Sequence, residues 1–151
     1  MTLKTTRALA GAAIAVALSA MAGGCGETAS TGSFKGESHN VAQTIADFQS
    51  DVLAREQKKL CQRDLAATVT TQLTRAGGSC QAALKNQLLQ IDATGLTIES
   101  IAVNGKKATA RIKSTYSGKT EISALTLVNE GGRWKISGTI AIRSPQTPKK
   151  G

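Results

Sequence analysis

The sequence predicts an α+β domain in which N-terminal helices pack on a four-stranded antiparallel meander sheet. Three observations predict it: apolar residues recur every three to four positions before Gly95, the period drops to two after it, and the strands are joined by turns too short for parallel crossovers. Val41, Ile45, Phe48 and Val52, widened by Leu53, form the stripe of an amphipathic helix running to about Lys59, with Gln43, Asp47, Asp51 and Arg55 on its opposite face. Leu65, Val69 and Leu73 predict a second, shorter helix, with Asp64 as candidate N-cap and Gly77-Gly78 as its end. Ser79 can cap a third helix that holds Ala83, Leu84, Leu88 and Ile91 and closes near Gly95.

Ile98 to Val103 reads as the first strand, and Asn104-Gly105 is a tight-turn dipeptide leading into Ala108, Ala110, Ile112, Ser114 and Tyr116, which alternate with Thr109, Arg111, Lys113 and Thr115. Ser117-Gly118 marks the next turn. A third strand spans Glu121 to Val128, and Glu130-Gly131-Gly132 turns into a fourth. There Trp134, Ile136, Gly138, Ile140 and Ile142 share one parity and Arg133, Lys135, Ser137, Thr139 and Arg143 the other. The third strand carries apolar residues on both parities, Ile122 and Ala124 against Leu125 and Leu127, which predicts a bulge or burial on both faces.

The chain has 151 residues, 40% hydrophobic and only 3% aromatic, with one His and three Cys. That length suits one domain. A zinc finger, a haem site or a His-dependent triad lacks its raw material, so no metal and no cofactor are expected. Lys and Arg number 19 against 10 Asp and Glu, a formal net charge of +9.

Residues 1–24 read as an export signal: Lys4 and Arg7 precede an uncharged stretch from Ala8 to Ala22, then Gly23 and Gly24. An uncleaved membrane anchor is the alternative, although a spanning helix wants about 20 apolar residues and this stretch is short and interrupted by glycine. Met21-Ala22-Gly23-Gly24-Cys25 resembles the lipobox of bacterial lipoproteins, in which the Cys becomes the lipidated first residue of the mature chain. Ala22 stands where that motif most commonly has Leu. The alternative is ordinary secretory cleavage with Cys25 left as a free thiol. Loss of residues 1–24 leaves 17 basic against 10 acidic residues, a net charge of +7. Residues 25–39 are Gly/Ser/Thr-rich and expected to be a flexible tether, 40–143 the globular domain, and 144–151 a disordered basic tail with Pro145, Pro148, Lys149 and Lys150.

With Cys25 assigned to lipid, Cys61 and Cys80 form an even pair in an exported protein, and a disulfide is expected. Closing a loop of 19 residues stabilises the fold by about 3 kcal/mol in the chain-entropy model. A redox or metal pair is the alternative, but CxxC spacing and a nearby His are both lacking.

The order of these pieces carries a family resemblance: a long first helix, Cys61 before a short Leu/Thr helix, Gly77-Gly78-Ser79-Cys80 opening another, Asn104-Gly105-Lys106-Lys107-Ala108-Thr109-Ala110, and Val128-Asn129-Glu130-Gly131-Gly132-Arg133-Trp134-Lys135-Ile136. The chain resembles small secreted lipoproteins of Gram-positive bacteria with a nuclear transport factor two-like, or cystatin-like cone, domain. The resemblance implies a curved, cone-like sheet wrapped on helices, often around an apolar pocket, and enzymes of the steroid isomerase or epoxide hydrolase type that use a pocket acid. The sequence departs from the superfamily's order in showing no obvious strand between its helices.

Asp92 and Tyr116 are the two candidates for such chemistry; a helix-end surface acid and an edge aromatic are the plainer readings, and catalysis is not expected. His39 reads as a solvated tether residue, and no nucleophile motif supports a Ser-Lys hydrolase. Arg111, Lys113, Arg133, Lys135 and Arg143 fall on outward parities, with Lys106, Lys107 and Lys119 at turns. Arg111, Lys113, Arg133 and Lys135 are therefore a candidate anion-binding patch for an anionic envelope component or protein, the alternative being a solvated face with aggregation-blocking lysines. Nucleic acid is not an expected partner, because one Trp and one Tyr make no stacking platform. The expected protein is a lipid-anchored binding or interaction protein on the extracytoplasmic face of the cell membrane, held there through Cys25.

Overall fold

The computed structural model describes residues 29–91, 93–116 and 119–142. Helix α1 (Glu37–Leu53) leads through a one-turn α2 (Gln57–Lys59) into a π-helical turn (Leu60–Asp64), followed by α3 (Ala67–Gly77) and α4 (Cys80–Leu89). Strands β1 (Ala93–Asn104), β2 (Lys107–Tyr116), β3 (Lys119–Glu130) and β4 (Arg133–Ala141) come after the helices. They pair antiparallel in the order β1-β2-β3-β4, the meander that short turns predict. The α+β class follows from these elements.

The sheet buries one face. Ile98 of β1, Ala108, Ala110 and Ile112 of β2, Leu125 and Leu127 of β3, and Trp134 and Ile136 of β4 form a core with Val41, Ala42 and Ile45 of α1. Each large apolar side chain taken out of water contributes about 1.5–3 kcal/mol. The alternation of β3 then explains itself: Leu125 and Leu127 pair with inward Ala110 and Ala108, while Ile122 and Ala124 pair with outward Lys113 and Arg111.

The irregularity expected in β3 sits in its partner. Leu127 pairs with Ile136 and Thr126 with Gly138, so Ser137 is an extra residue and the parity of β4 inverts beyond it. Trp134 and Ile136 stay inside, but Ile140 joins Ala124 on the outer face and is 56% exposed. The single inward row from Trp134 to Ile142 is corrected accordingly. A second irregularity inserts Glu99 into β1, where its carboxylate accepts from Arg111 Nε at 2.7 Å.

The helical half departs from expectation in four places. Residues 29–39 are not a free tether: Ala29 is buried in the core, its N–H donates to Gln49 Oε1 at 2.8 Å, and Phe34 packs against the same cluster. Helix α1 begins at Glu37, and His39 belongs to its first turn. At the other end α1 stops at Leu53 instead of reaching Lys59. Arg55 adopts φ 56°, with Arg55 N–H bonded to the Val52 carbonyl and Glu56 N–H to the Asp51 carbonyl, which is the Schellman closure with arginine where glycine is usual. Asp64 does not cap the second helix; the Glu130 carboxylate accepts from Ala67 N–H there, at 3.2 and 3.3 Å. Helix α4 ends at Leu89, and Ile91 is 40% exposed.

Other signals hold. The Ser79 hydroxyl accepts from Ala82 N–H at 3.1 Å, and Gly77 ends α3 where a Cβ would meet Ala83 Cβ at 2.7 Å, so α3 and α4 meet closely only because Gly77 has none. Cys61 and Cys80 are bonded, with Cα atoms 6.1 Å apart. Between the helices, Leu65 makes a parallel bridge with Ile136, and Ala66 N–H donates to the Ile136 carbonyl at 2.8 Å. That short contact covers part of the outer edge of β4.

Arg55 holds a conformation that costs an L side chain more than glycine. Arg55→Gly is expected to stabilise the fold by about 0.5–1 kcal/mol, read as a Tm a few degrees higher in a thermal melt. An unchanged or lower Tm contradicts this account of the α1 terminus.

Candidate functional site

A polar cleft of about 340 Å3 opens between α1, the π-helical turn and the β3–β4 turn. Glu37, Asn40, Gln43, Thr44 and Asp47 line one wall, spaced at three to four residues so that they share one face of α1. Opposite them stand Asn129, Gly132, Arg133 and Trp134. Gly131 and Gly132 turn the chain there with φ of 60° and 83°, the paired positive values that a two-residue hairpin turn requires. Trp134 is buried, yet its Nε1–H donates to Glu37 Oε2 at 2.8 Å and ties the start of α1 to β4.

Arg63 and Asp64 complete the lining. Arg63 Nη2–H donates to Asp51 Oδ2 at 2.6 Å and its Nε–H to Asp64 Oδ1 at 3.1 Å, while Lys59 Nζ lies 3.6 Å from Asp51 Oδ1. Both carboxyl side chains are almost wholly buried, at 7% and 3% exposure, whereas Arg63 reaches solvent. Asp64 Oδ2 has no hydrogen-bond partner among the described residues. Burial is the main force that pushes the Asp64 carboxyl up to about 6, with Asp51 raising it further and Arg63 pulling it back. A buried, half-satisfied carboxyl with this perturbation, lining a cleft, is the strongest site signal among the described residues.

The inward strand residues are packed by α1. A second, open concavity of about 430 Å3 reaches Ala108 and Leu127 beside Thr68, Thr126 and Ser137. A separate crevice of about 220 Å3 lies among the helices, lined by Phe48, Val69, Leu73 and Leu88. It is smaller than the roughly 300 Å3 at which small-molecule sites begin.

The residues that the sequence singled out divide as follows. Cys25, Asp92 and Arg143 lie outside the described residues; Tyr116 is placed by its backbone at the end of β2, opposite Ala93 and Lys119. His39 is exposed, 3.3 Å from the Thr31 carbonyl. Arg111, Lys113, Arg133 and Lys135 all take the outer side of their strands, but the register separates them into two pairs. Arg111 stands level with Ala124, whereas Lys135 stands level with Val128 and Arg133 with Glu130. Four to six residues along β3 are about 14–20 Å. Arg111 is also engaged by Glu99, and Lys135 lies 3.7 Å from Glu130. Arg133 serves the cleft instead.

Sequence reasoning missed Glu37, Arg63 and Asp64. One signal was available: five of the ten acidic residues, Glu37, Asp47, Asp51, Glu56 and Asp64, fall within 28 residues of a basic chain.

No protein-family profile matches the chain, and no curated protein matches it. Two solved structures are similar in part. One is the solution structure of a SEC-C motif containing protein from Rhodopseudomonas palustris, 11% identical, covering 68% of this chain and 77% of that chain with a TM-score of 0.49. The other is the crystal structure of an NTF2-like protein of unknown function from Shewanella baltica, 17% identical, covering 66% of this chain and 94% of that chain with a TM-score of 0.34.

The raised Asp64 carboxyl has a defined sign. The folded state holds this proton more tightly than the unfolded chain, so the group's contribution to stability is full below about pH 4 and is lost as pH rises through about 6. Asp64→Asn removes the ionisation. Its Tm relative to the native chain is expected to improve by roughly 5 °C between pH 4.5 and pH 7.5. Parallel melting curves across that range contradict the assignment. What the site and the chain's own elements establish is an α+β domain that carries a polar, carboxyl-bearing cleft.

Proposed function

We propose that this chain is a small exported lipoprotein of the nuclear transport factor two-like superfamily, held through lipid on Cys25 at the extracytoplasmic face of a bacterial membrane, and that it binds a small polar envelope ligand in its cleft. The single observation that carries the binding half is the cleft itself: about 340 Å3, open, and lined by side chains that donate and accept around the buried Asp64. Such convergence of polar groups in a concavity is the usual form of a small-molecule site. The location half is supported by the leader-like residues 1–24, by the lipobox-like Cys25, and by the Cys61–Cys80 disulfide, a bond of oxidising compartments. No helix among the described residues is long and apolar enough to cross a membrane; in this reading the lipid on Cys25 supplies the attachment.

A second reading has one observation in its favour. A carboxyl raised to about 6 at a cleft is suited to general acid catalysis, so a small enzyme using a pocket acid would use Asp64 in the role first considered for Asp92.

Soluble glycan fragments of a bacterial wall are the first test, with the fluorescence of Trp134, the sole tryptophan, as reporter. The native chain is expected to show a saturable change that Thr44→Phe, which narrows the cleft, abolishes. Equal responses from both proteins contradict the cleft. New reducing ends released by the native chain and not by Asp64→Asn would favour the enzyme. Cys25→Ser is expected to move the protein from membrane to soluble fractions, and an unmodified Cys25 in the native protein contradicts the anchor.

A further inference from the structure

The lead from Cys25 to the folded domain is short. Composition assigns residues 25–39 to a free tether, yet Ala29 is already buried and its N–H is bonded to Gln49 of α1. Four residues then carry the chain from Cys25 to Ala29, at most about 14 Å when fully extended. The diameter of a small domain is roughly 30 Å. A lipid seated in a bilayer through Cys25 therefore holds the surface around Gln49 within half a domain's width of the membrane.

The side chains around Gln49 are apolar. Leu53 lies one helical turn beyond it, about 6 Å along α1, and is 43% exposed. Phe48 and Val52, before and after Gln49, line the helical crevice together with Leu88 of α4 and Ile91 just past its end, so the ends of α1 and α4 stand side by side. Leu89 and Ile91 are 59% and 40% exposed there. Three of the four exposed large hydrophobic side chains among the described residues thus belong to the end of the helical layer that receives the chain from Cys25. The fourth, Ile140, is on the outer face of the sheet, with the sheet between it and α1.

Cations border these residues. Arg55 and Lys58 follow Leu53 in the chain, α2 packs on α4, and Lys85 stands one turn before Leu89 on the same face of α4. All three are exposed, and none has an ion pair among the described residues. The acid between them, Glu56, lies 3.6 Å from Lys59, and the buried Asp51 is shared by Lys59 and Arg63. Asp92 lies outside the described residues; set against the three cations, it still leaves this end positive.

Resting on the reading of Cys25 as lipidated, we propose that this end of the helical layer is the membrane-apposed face of the domain, with Leu53, Leu89 and Ile91 at the acyl boundary of an anionic bilayer and Arg55, Lys58 and Lys85 among its headgroups. Long basic side chains suit that place, since their stems cover apolar surface while the charge stays in the polar layer. Each Lys or Arg near an anionic surface strengthens the attachment by about fivefold.

The test places the full-length lipidated protein in vesicles of phosphatidylglycerol and phosphatidylcholine whose acyl chains carry bromine, a contact quencher of tryptophan. Leu53→Trp and Leu89→Trp each add an indole at the proposed face, and Ile140→Trp adds one at a similarly exposed position on the outer face of the sheet. Measured against the native chain with Trp134 alone, quenching is expected to be severalfold stronger in the two helix-end variants than in Ile140→Trp. Adding Lys58→Glu and Lys85→Glu to Leu89→Trp is expected to remove most of it. Quenching at Ile140→Trp equal to or above that at the helix end overturns the apposed face while the anchor stands. A signal indifferent to the two charge reversals contradicts the part given to the cations. Vesicles that fail to retain the native chain overturn the anchor at Cys25, and the face with it.

Discussion

The fold depends on seven residues, Leu60 to Ala66, being held in one place. Cys61 bonds them covalently to the start of α4, Arg63 joins them ionically to Asp51 of α1, and Leu65 with Ala66 hydrogen-bonds them to Ile136 of β4. Three elements of the domain, α4, α1 and β4, meet there. The π-helical winding places Asp64 inward, and the backbone then leaves the helix as an extended segment to meet the edge of β4. The disulfide closes a loop of 19 residues and limits the unfolded chain, while the bridge to Ile136 gives an exposed strand edge a partner.

The ionic part of this junction is not where the fold gains most of its stability. Two carboxyls out of water with one guanidinium between them are costly, and well-packed apolar side chains often do as well or better. Asp64 is left with one oxygen unpaired. A deficit of that kind at the lining of a cleft sets the residue apart from Asp51, whose two oxygens face Arg63 and Lys59. The carboxyl is thus held at the wall of the cleft, between a helix face, a disulfide-bonded turn and a glycine hairpin.

Much of the fold is legible because periodicity and turn chemistry are local. The change from spacing of three and four to spacing of two after Gly95 separates helices from strands, and Gly131-Gly132 fixes the hairpin that presents Arg133 and Trp134. What escapes the sequence is set by tertiary contacts. Nothing local marks Arg55 as the end of α1, since arginine is an ordinary helix former and only the Schellman closure puts it at φ 56°. Ser137 gives no hint of the parity change that exposes Ile140, because the extra residue is defined by pairing with Thr126 and Leu127. The run before Glu37 looks like linker by composition, yet Ala29 and Phe34 find places against α1. Outward parity places Arg111, Lys113, Arg133 and Lys135 on one side of the sheet, and only the strand register shows that they stand along it as two separate pairs.

The cleft was illegible for a related reason. Its acids come from α1 and the π-helical turn and its aromatic from β4, 97 residues apart in the Glu37–Trp134 bond, so no spacing rule unites them. The account turns on Asp64 being a buried carboxyl held against Asp51 and Arg63, and the direct measurement is its own titration by carboxyl carbon-13 NMR. The account predicts an inflection at about pH 6, well above that of the exposed carboxyls. Titration of Asp64 together with those exposed groups, in the ordinary carboxylate range, would contradict it.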